Sequence, residues 1–161
     1  MAGEALRRIV AKEEPLGSDL YGPMIGSWSI TSTWYDLEGT EKSGRGEWHF
    51  DRILGGLGVQ DVLLSTGAPS HEYGTSVRTY DATADVWRIV WMQPHAGEFT
   101  VLEGRSKGEE IVQEGRSLSR PGELQRWRFI DITDTSFTWL GESSTDGGNW
   151  RLEQRMDARR M

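Results

Sequence analysis

The sequence predicts an all-β protein: an antiparallel up-and-down, calycin-like barrel of about 8–10 strands with a short N-terminal helix. Three observations carry this. Successive runs alternate at period two, the repeat that places alternate side chains on one face of a strand. A turn signal rich in Gly, Asn, Asp or Pro closes each run. No helical period occurs after residue 14. Closing such a sheet on itself removes its exposed edges, with a two-sheet sandwich as the alternative.

Residues 3–14 carry Leu6, Ile9 and Val10 at helical spacing, with Arg7, Arg8, Lys12 and Glu13 on the other side, before Pro15. They read as a short amphipathic helix that plugs the barrel or packs on a partner, or else as a frayed tail. Residues 21–23 read as a linker, so the expected division is 1–22 for helix and linker and 23–161 for the barrel. The first strand spans 26–36, with Trp28, Ile30, Ser32 and Trp34 on one face and Ser29, Thr31, Thr33 and Tyr35 on the other. Bulk on both faces suits a wall between a pocket and an outer layer. Strands follow at 43–54, 57–65, 74–80, 86–93, 98–105 and 109–116, separated by turns such as Gly55-Gly56 and Pro94-His95-Ala96-Gly97. A meander from 126 closes the chain: Trp127 and Phe129, then Phe137 and Trp139, recur at period two, with turns at 131–135 and 146–149.

At 161 residues the chain is long enough for one domain that buries roughly 70% of its unfolded surface. It has no cysteine, which excludes disulfides, thiolate nucleophiles and Cys-ligated metal centres. A net charge of −7, with basic residues scattered among acids, argues against nucleic acid. No apolar run approaches the roughly 18 residues of a membrane span, and no secretion signal is evident, so a cytoplasmic protein is expected.

The side chains that titrate near neutrality are His49, His71 and His95. Their spacing is not that of a metal site, so no metal and no cofactor is expected. If the fold nevertheless gathers His49 and His95 with Glu47 or Asp61, a metal or acid–base site results; otherwise they are surface or hydrogen-bonded groups, as His71 beside Glu72 is expected to be solvated. Arg78, Arg88, Arg105, Arg126 and Arg128 share strands with or face Asp61, Glu103, Glu114 and Glu142. These form cross-strand ion pairs on the outer wall, or one or two arginines turn inward and fork onto a ligand carboxylate. Arg78 and Arg105 are the candidates for that. Trp48, Trp87, Trp91 and Trp139 form an aromatic ligand wall or plain core. Gly55-Gly56-Leu57-Gly58 lacks the helix and Lys-Ser/Thr pair of a phosphate loop, and no Gly-X-Ser-X-Gly elbow is present.

Gly26-Ser27-Trp28 is similar to the Gly-X-Trp signature of the calycin superfamily, the lipocalins and fatty-acid-binding proteins. Residues 74–93 and 127–159, with Asp146-Gly147-Gly148-Asn149-Trp150 in the hairpin, resemble an uncharacterised bacterial family with calycin-like barrels. The resemblance implies a barrel with an internal pocket, closed at one end by Trp28 against a basic residue of the last strand, Arg151 or Arg155. It carries no established reaction, and the usual lipocalin disulfide has no counterpart here. Together these readings give a binder of a small hydrophobic or amphipathic molecule, with possible homodimerisation. The alternative is a cofactor-free isomerase, cyclase or decarboxylase using His49 or His95 with Asp61 or Glu142.

Overall fold

A computed structural model describes residues 18–161. Its ten strands are β1 (Gly26–Tyr35), β2 (Glu41–Ile53), β3 (Gly58–Ser65), β4 (Gly74–Asp81), β5 (Val86–Gln93), β6 (Glu98–Lys107), β7 (Glu110–Ser117), β8 (Leu124–Ile130), β9 (Ser136–Ser144) and β10 (Arg151–Arg160). Each strand pairs antiparallel with its sequence neighbours, and β1 pairs with β10 from Trp28 opposite Arg160 to Trp34 opposite Gln154. The sheet therefore closes as a barrel rather than a sandwich. The amphipathic helix expected in residues 3–14 lies outside the described residues.

The hairpins follow the predicted turn chemistry. In the 146–149 turn, Asp146 Oδ1 accepts the backbone N–H of both Gly148 and Asn149 at 2.8 Å, and Gly147 takes the positive φ of 74° that such a turn needs. The Asn149 N–H, first among these bonds, holds the Asp146 carboxyl well below the usual carboxylate range.

One end of the barrel is closed. Tyr21, Met24, Trp28, Phe129 and Phe137 are almost wholly buried there, and Trp28 meets Phe137 edge-on with ring centroids 4.7 Å apart. Residues 21–23, expected as a linker, are instead the stopper: a 3-10 turn, Gly22–Met24, lies across the opening and Tyr21 points into the lumen. Trp28 Nε1 donates to the Met24 carbonyl at 2.7 Å. The guanidinium of Arg160 stacks 4.1 Å from the Trp28 ring and donates to the carbonyls of Pro23, Ile25 and Asp134. Trp28 thus has its basic partner on the last strand, but it is Arg160 and not Arg151 or Arg155. Register decides this: Arg160 lies directly opposite Trp28, whereas Arg155 faces Thr33 and pairs with Asp157, and Arg151 starts β10 at the far end and pairs with Glu153.

Candidate ligand cavity

Register fixes which side chains face the lumen. Trp28, Ile30 and Ser32 of β1 stand beside Trp48, Gly46 and Gly44 of β2, and the same parity carries Asp61, Arg78, Ile89, Leu102, Gln113, Trp127 and Trp139 inward from later strands. Near the closed end most inward positions are aromatic or large aliphatic and, with the buried Asp61, Arg78 and Gln113 above them, fill the space. Toward the open end they become Ser32, Ser76, Thr100, Ser117 and Gly141, which cannot. What remains is a cavity of about 310 Å³ reached from the open end.

Five tryptophans line it, and four of them, Trp48, Trp139, Trp127 and Trp91, form a continuous belt with successive ring centroids 6.3, 5.6 and 6.3 Å apart. Two indoles press against glycines, Trp91 against Gly74 and Trp139 against Gly141, where any Cβ would collide with the six-membered ring. Glycine on these strands is what lets the rings lie against the wall.

The polar part of the wall is a buried network. Arg78 is 1% exposed, and its Nη1 donates to Asp61 Oδ2 at 2.6 Å. Asp61 Oδ1 accepts the Ser76 backbone N–H at 2.8 Å. Arg78 Nε donates to Gln113 Oε1 at 3.3 Å, an oxygen that also accepts the Tyr21 hydroxyl at 2.8 Å. The guanidinium lies 4.9 Å from the Tyr21 ring centroid and 5.5 Å from that of Phe50. Burial pushes the Tyr21 phenol well above its ordinary pKa of 10 against the pull of Arg78, so it stays a neutral donor. Two buried donors of the cavity wall, Trp48 Nε1 and Gln125 Nε2, have no partner among the described residues, and neither has Gln113 Nε2 behind them.

At the mouth, register slips between Leu152 and Gln154, and this bulge turns Glu153 into the opening. Glu153 accepts from Arg120 Nη1 at 2.7 Å, from Arg120 Nη2 at 2.5 Å and from Ser143 Oγ at 2.8 Å, while Arg120 also pairs with Glu123. Burial raises the Glu153 pKa, but the bonds from Arg120 and Ser143 and the charges of Arg120 and Arg151 outweigh it and leave it lowered. On another side of the mouth, Trp91 Nε1 donates to Glu98 at 2.7 Å.

The barrel separates the side chains that the sequence analysis grouped. Trp48, Arg78, Trp91 and Trp139 line the cavity, and Asp61 lies behind it as the partner of Arg78. Trp87 faces inward but at the closed end, 5.0 Å from Tyr21 and bonded to Ser18, away from the cavity. Arg105 is on the outer wall with Glu103, because the parity that turns Leu102 and Gly104 inward turns 103 and 105 out. Glu142 is also outside, between Arg126 and Arg128, whose bonds and charges outweigh burial and lower its pKa. His49 is on the outer face, bonded to Ser27 Oγ and Glu47. His95 is on the rim of the mouth, so the structure brings neither histidine to the other, to Asp61 or to Glu142. Most of the arginine–carboxylate group therefore forms outer-wall pairs, and Arg78 with Asp61 is the inward exception.

Tyr21, Gln113, Gln125, Arg120 and Glu153 were not singled out from the sequence. The period-two spacing of Ile111, Gln113, Gly115 and Ser117 was the available signal for Gln113, while Glu153 depends on the bulge, which leaves no such trace.

No protein-family model and no curated protein matches the sequence. Among solved structures, the chain is similar to an S-type phycobiliprotein lyase, CPES, from Guillardia theta, with a TM-score of 0.61 and 9% identity, covering 89% of this chain and 91% of that one. It is also similar to Rv2717c from M. tuberculosis, with a TM-score of 0.58 and 13% identity, covering 86% and 93% of the two chains. At such identities the likeness is one of fold, and the fold is that of a closed, ten-stranded, calycin-like barrel.

Proposed function

We propose that the barrel binds one small amphipathic molecule, with its flat apolar part against the indole belt and a hydrogen-bond-accepting or anionic end toward Arg78. The observation that carries this reading is the contrast within one lumen. Protein interiors are normally close-packed, and the closed end obeys, yet the side chains of the open end leave a cavity of about 310 Å³ above a buried guanidinium. That volume is at the low end of the roughly 300–1,000 Å³ typical of small-molecule sites, and the mix of aromatic wall and few polar groups is also typical. The donors Trp48 Nε1 and Gln125 Nε2, which bond to no described protein group, support an acceptor on that molecule, since an unpaired buried donor costs about 1–3 kcal/mol that an incoming acceptor recovers. The alternative, a cofactor-free enzyme working by an imidazole and a carboxylate, finds no histidine on the cavity wall among the described residues.

The test is a titration of the full chain with anilinonaphthalene sulfonate, an aromatic anion of suitable size, read by dye fluorescence and by quenching of the wall tryptophans. Saturable binding of one equivalent is expected, and Ser32→Phe, which places a ring in the cavity, abolishes it. Binding that survives Ser32→Phe unchanged refutes the cavity as the site. Native against denaturing mass spectrometry of protein from its own host then reads the mass of the natural occupant.

A further inference from the structure

Two connections at the open end carry 3-10 turns: Ser70–Glu72 between β3 and β4, and Pro94–Ala96 between β5 and β6. The turns touch, and they bring His71, Glu72 and His95 together with one donor atom of each within 4.8 Å of the others. Glu72 Oε1 is 3.9 Å from His71 Nε2 and 3.8 Å from His95 Nε2, and the two imidazole centroids are 5.4 Å apart. No spacing in the sequence announces this group, because His95 comes from a different loop from His71 and Glu72.

We propose that His71, Glu72 and His95 form a three-ligand site for Zn²⁺ on the rim of the cavity. Two imidazoles and a carboxylate are the donor set that binds zinc with a fourth position left for water or another oxygen ligand. Bond lengths of about 2.0–2.2 Å in a tetrahedron place ligand atoms roughly 3.3–3.5 Å apart. The observed separations close to that by side-chain rotation alone, and both imidazoles are exposed and free to turn. The backbone beneath is already held. Glu72 N–H donates to the Pro69 carbonyl at 2.9 Å, Gly97 N–H to the Pro94 carbonyl at 3.0 Å, and the Gln93 side chain ties the loops together by donating to the Glu72 carbonyl at 2.9 Å. Such anchoring lowers the ordering cost of assembling the ligands. Glu72 also lines the cavity, which sets the proposed ion at its rim.

The experiment uses the full chain without an affinity tag, titrated with zinc chloride by calorimetry and, in parallel, with Co²⁺, whose visible absorption reports tetrahedral coordination. One saturable equivalent is expected. The double variant His71→Ala/His95→Ala weakens binding by more than roughly 100-fold, and Glu72→Gln weakens it less. His49→Ala, which alters a histidine of the outer wall, leaves the affinity unchanged. Thermal melts without metal confirm that each variant is folded. Absence of a saturable equivalent, or binding equal in wild type and double variant, overturns the assignment. Either result leaves the dye titration of the cavity unaffected, so the two readings fail independently.

Discussion

The buried pair of Arg78 and Asp61 offers a sharp test of how the lumen is held together. Both side chains are at most 1% exposed and they meet at 2.6 Å. Arg78→Met removes the guanidinium and leaves the Asp61 carboxylate with the Ser76 N–H as its one remaining hydrogen bond. Breaking a buried pair from one side costs about 3–5 kcal/mol. For a chain of this length about 1 kcal/mol moves the melting midpoint by roughly 2–4 °C, so a drop of roughly 6–20 °C is expected. Asp61→Leu strands the guanidinium in the same way. The double variant Asp61→Leu/Arg78→Met removes both charges, and its main residual penalty is the unpaired Ser76 N–H, about 1–3 kcal/mol. The double variant should therefore be more stable than either single one, although it has lost the most polar contacts. Urea unfolding followed by circular dichroism gives the full cycle. If the double loss equals the sum of the single losses within about 0.5 kcal/mol, the two residues are not coupled and the account of the network is wrong.

Other perturbations test separate parts of the barrel. Glu153 and Glu142 have lowered pKa values, so the stability they contribute is present above the ordinary carboxylate range and is lost as pH falls through their folded values; melting midpoints measured from neutral pH downward should show an acid limb that Glu153→Gln flattens. An unaltered limb in that variant removes Glu153 from the explanation. The Tyr21 phenol is raised, so its contribution is intact below an ordinary tyrosine pKa of about 10 and fades as pH rises beyond it; Tyr21→Phe should delay alkaline unfolding, and equal alkaline midpoints would contradict the burial argument. Gly74→Ala places a methyl group against the Trp91 indole and pushes it into the cavity. Dye affinity should fall at least tenfold, while the loss of stability stays within the roughly 1–3 kcal/mol of an overpacked site.

The strands were legible because every one of them is a hairpin partner of its neighbours, so period-two runs and turn residues carry nearly all the topology. Which face points inward was not. Arg78 in Ser76-Val77-Arg78 and Arg105 in Glu103-Gly104-Arg105 look alike as strand arginines, yet cross-strand register turns Arg78 toward Asp61 and Arg105 toward solvent. Tyr21 lies in no periodic run, and its burial depends on a barrel end that exists only after closure. His71 and His95 meet because two unrelated loops end at the same rim. The tryptophans were legible as aromatic mass, but not their division between a packed floor holding Trp28 and Trp87 and a hollow wall holding Trp48, Trp91 and Trp139.

The pairing of Trp28 with Arg160 has a consequence for how the protein assembles. Nine of the ten strand pairings join neighbours in sequence and can zip up as local hairpins, whereas the β1–β10 pairing joins the two ends of the described chain. That seam carries the high contact order of the fold, and non-local pairing of this kind is the slow part of forming a sheet. Without that seam the same strands would form an open meander with two bare edges, a template for pairing with another chain. The stack of Arg160 on Trp28, with its three carbonyl contacts, fastens that seam. Loss of the final few residues would therefore remove little of the cavity wall and yet strip the seam of its fastening at the Trp28 end.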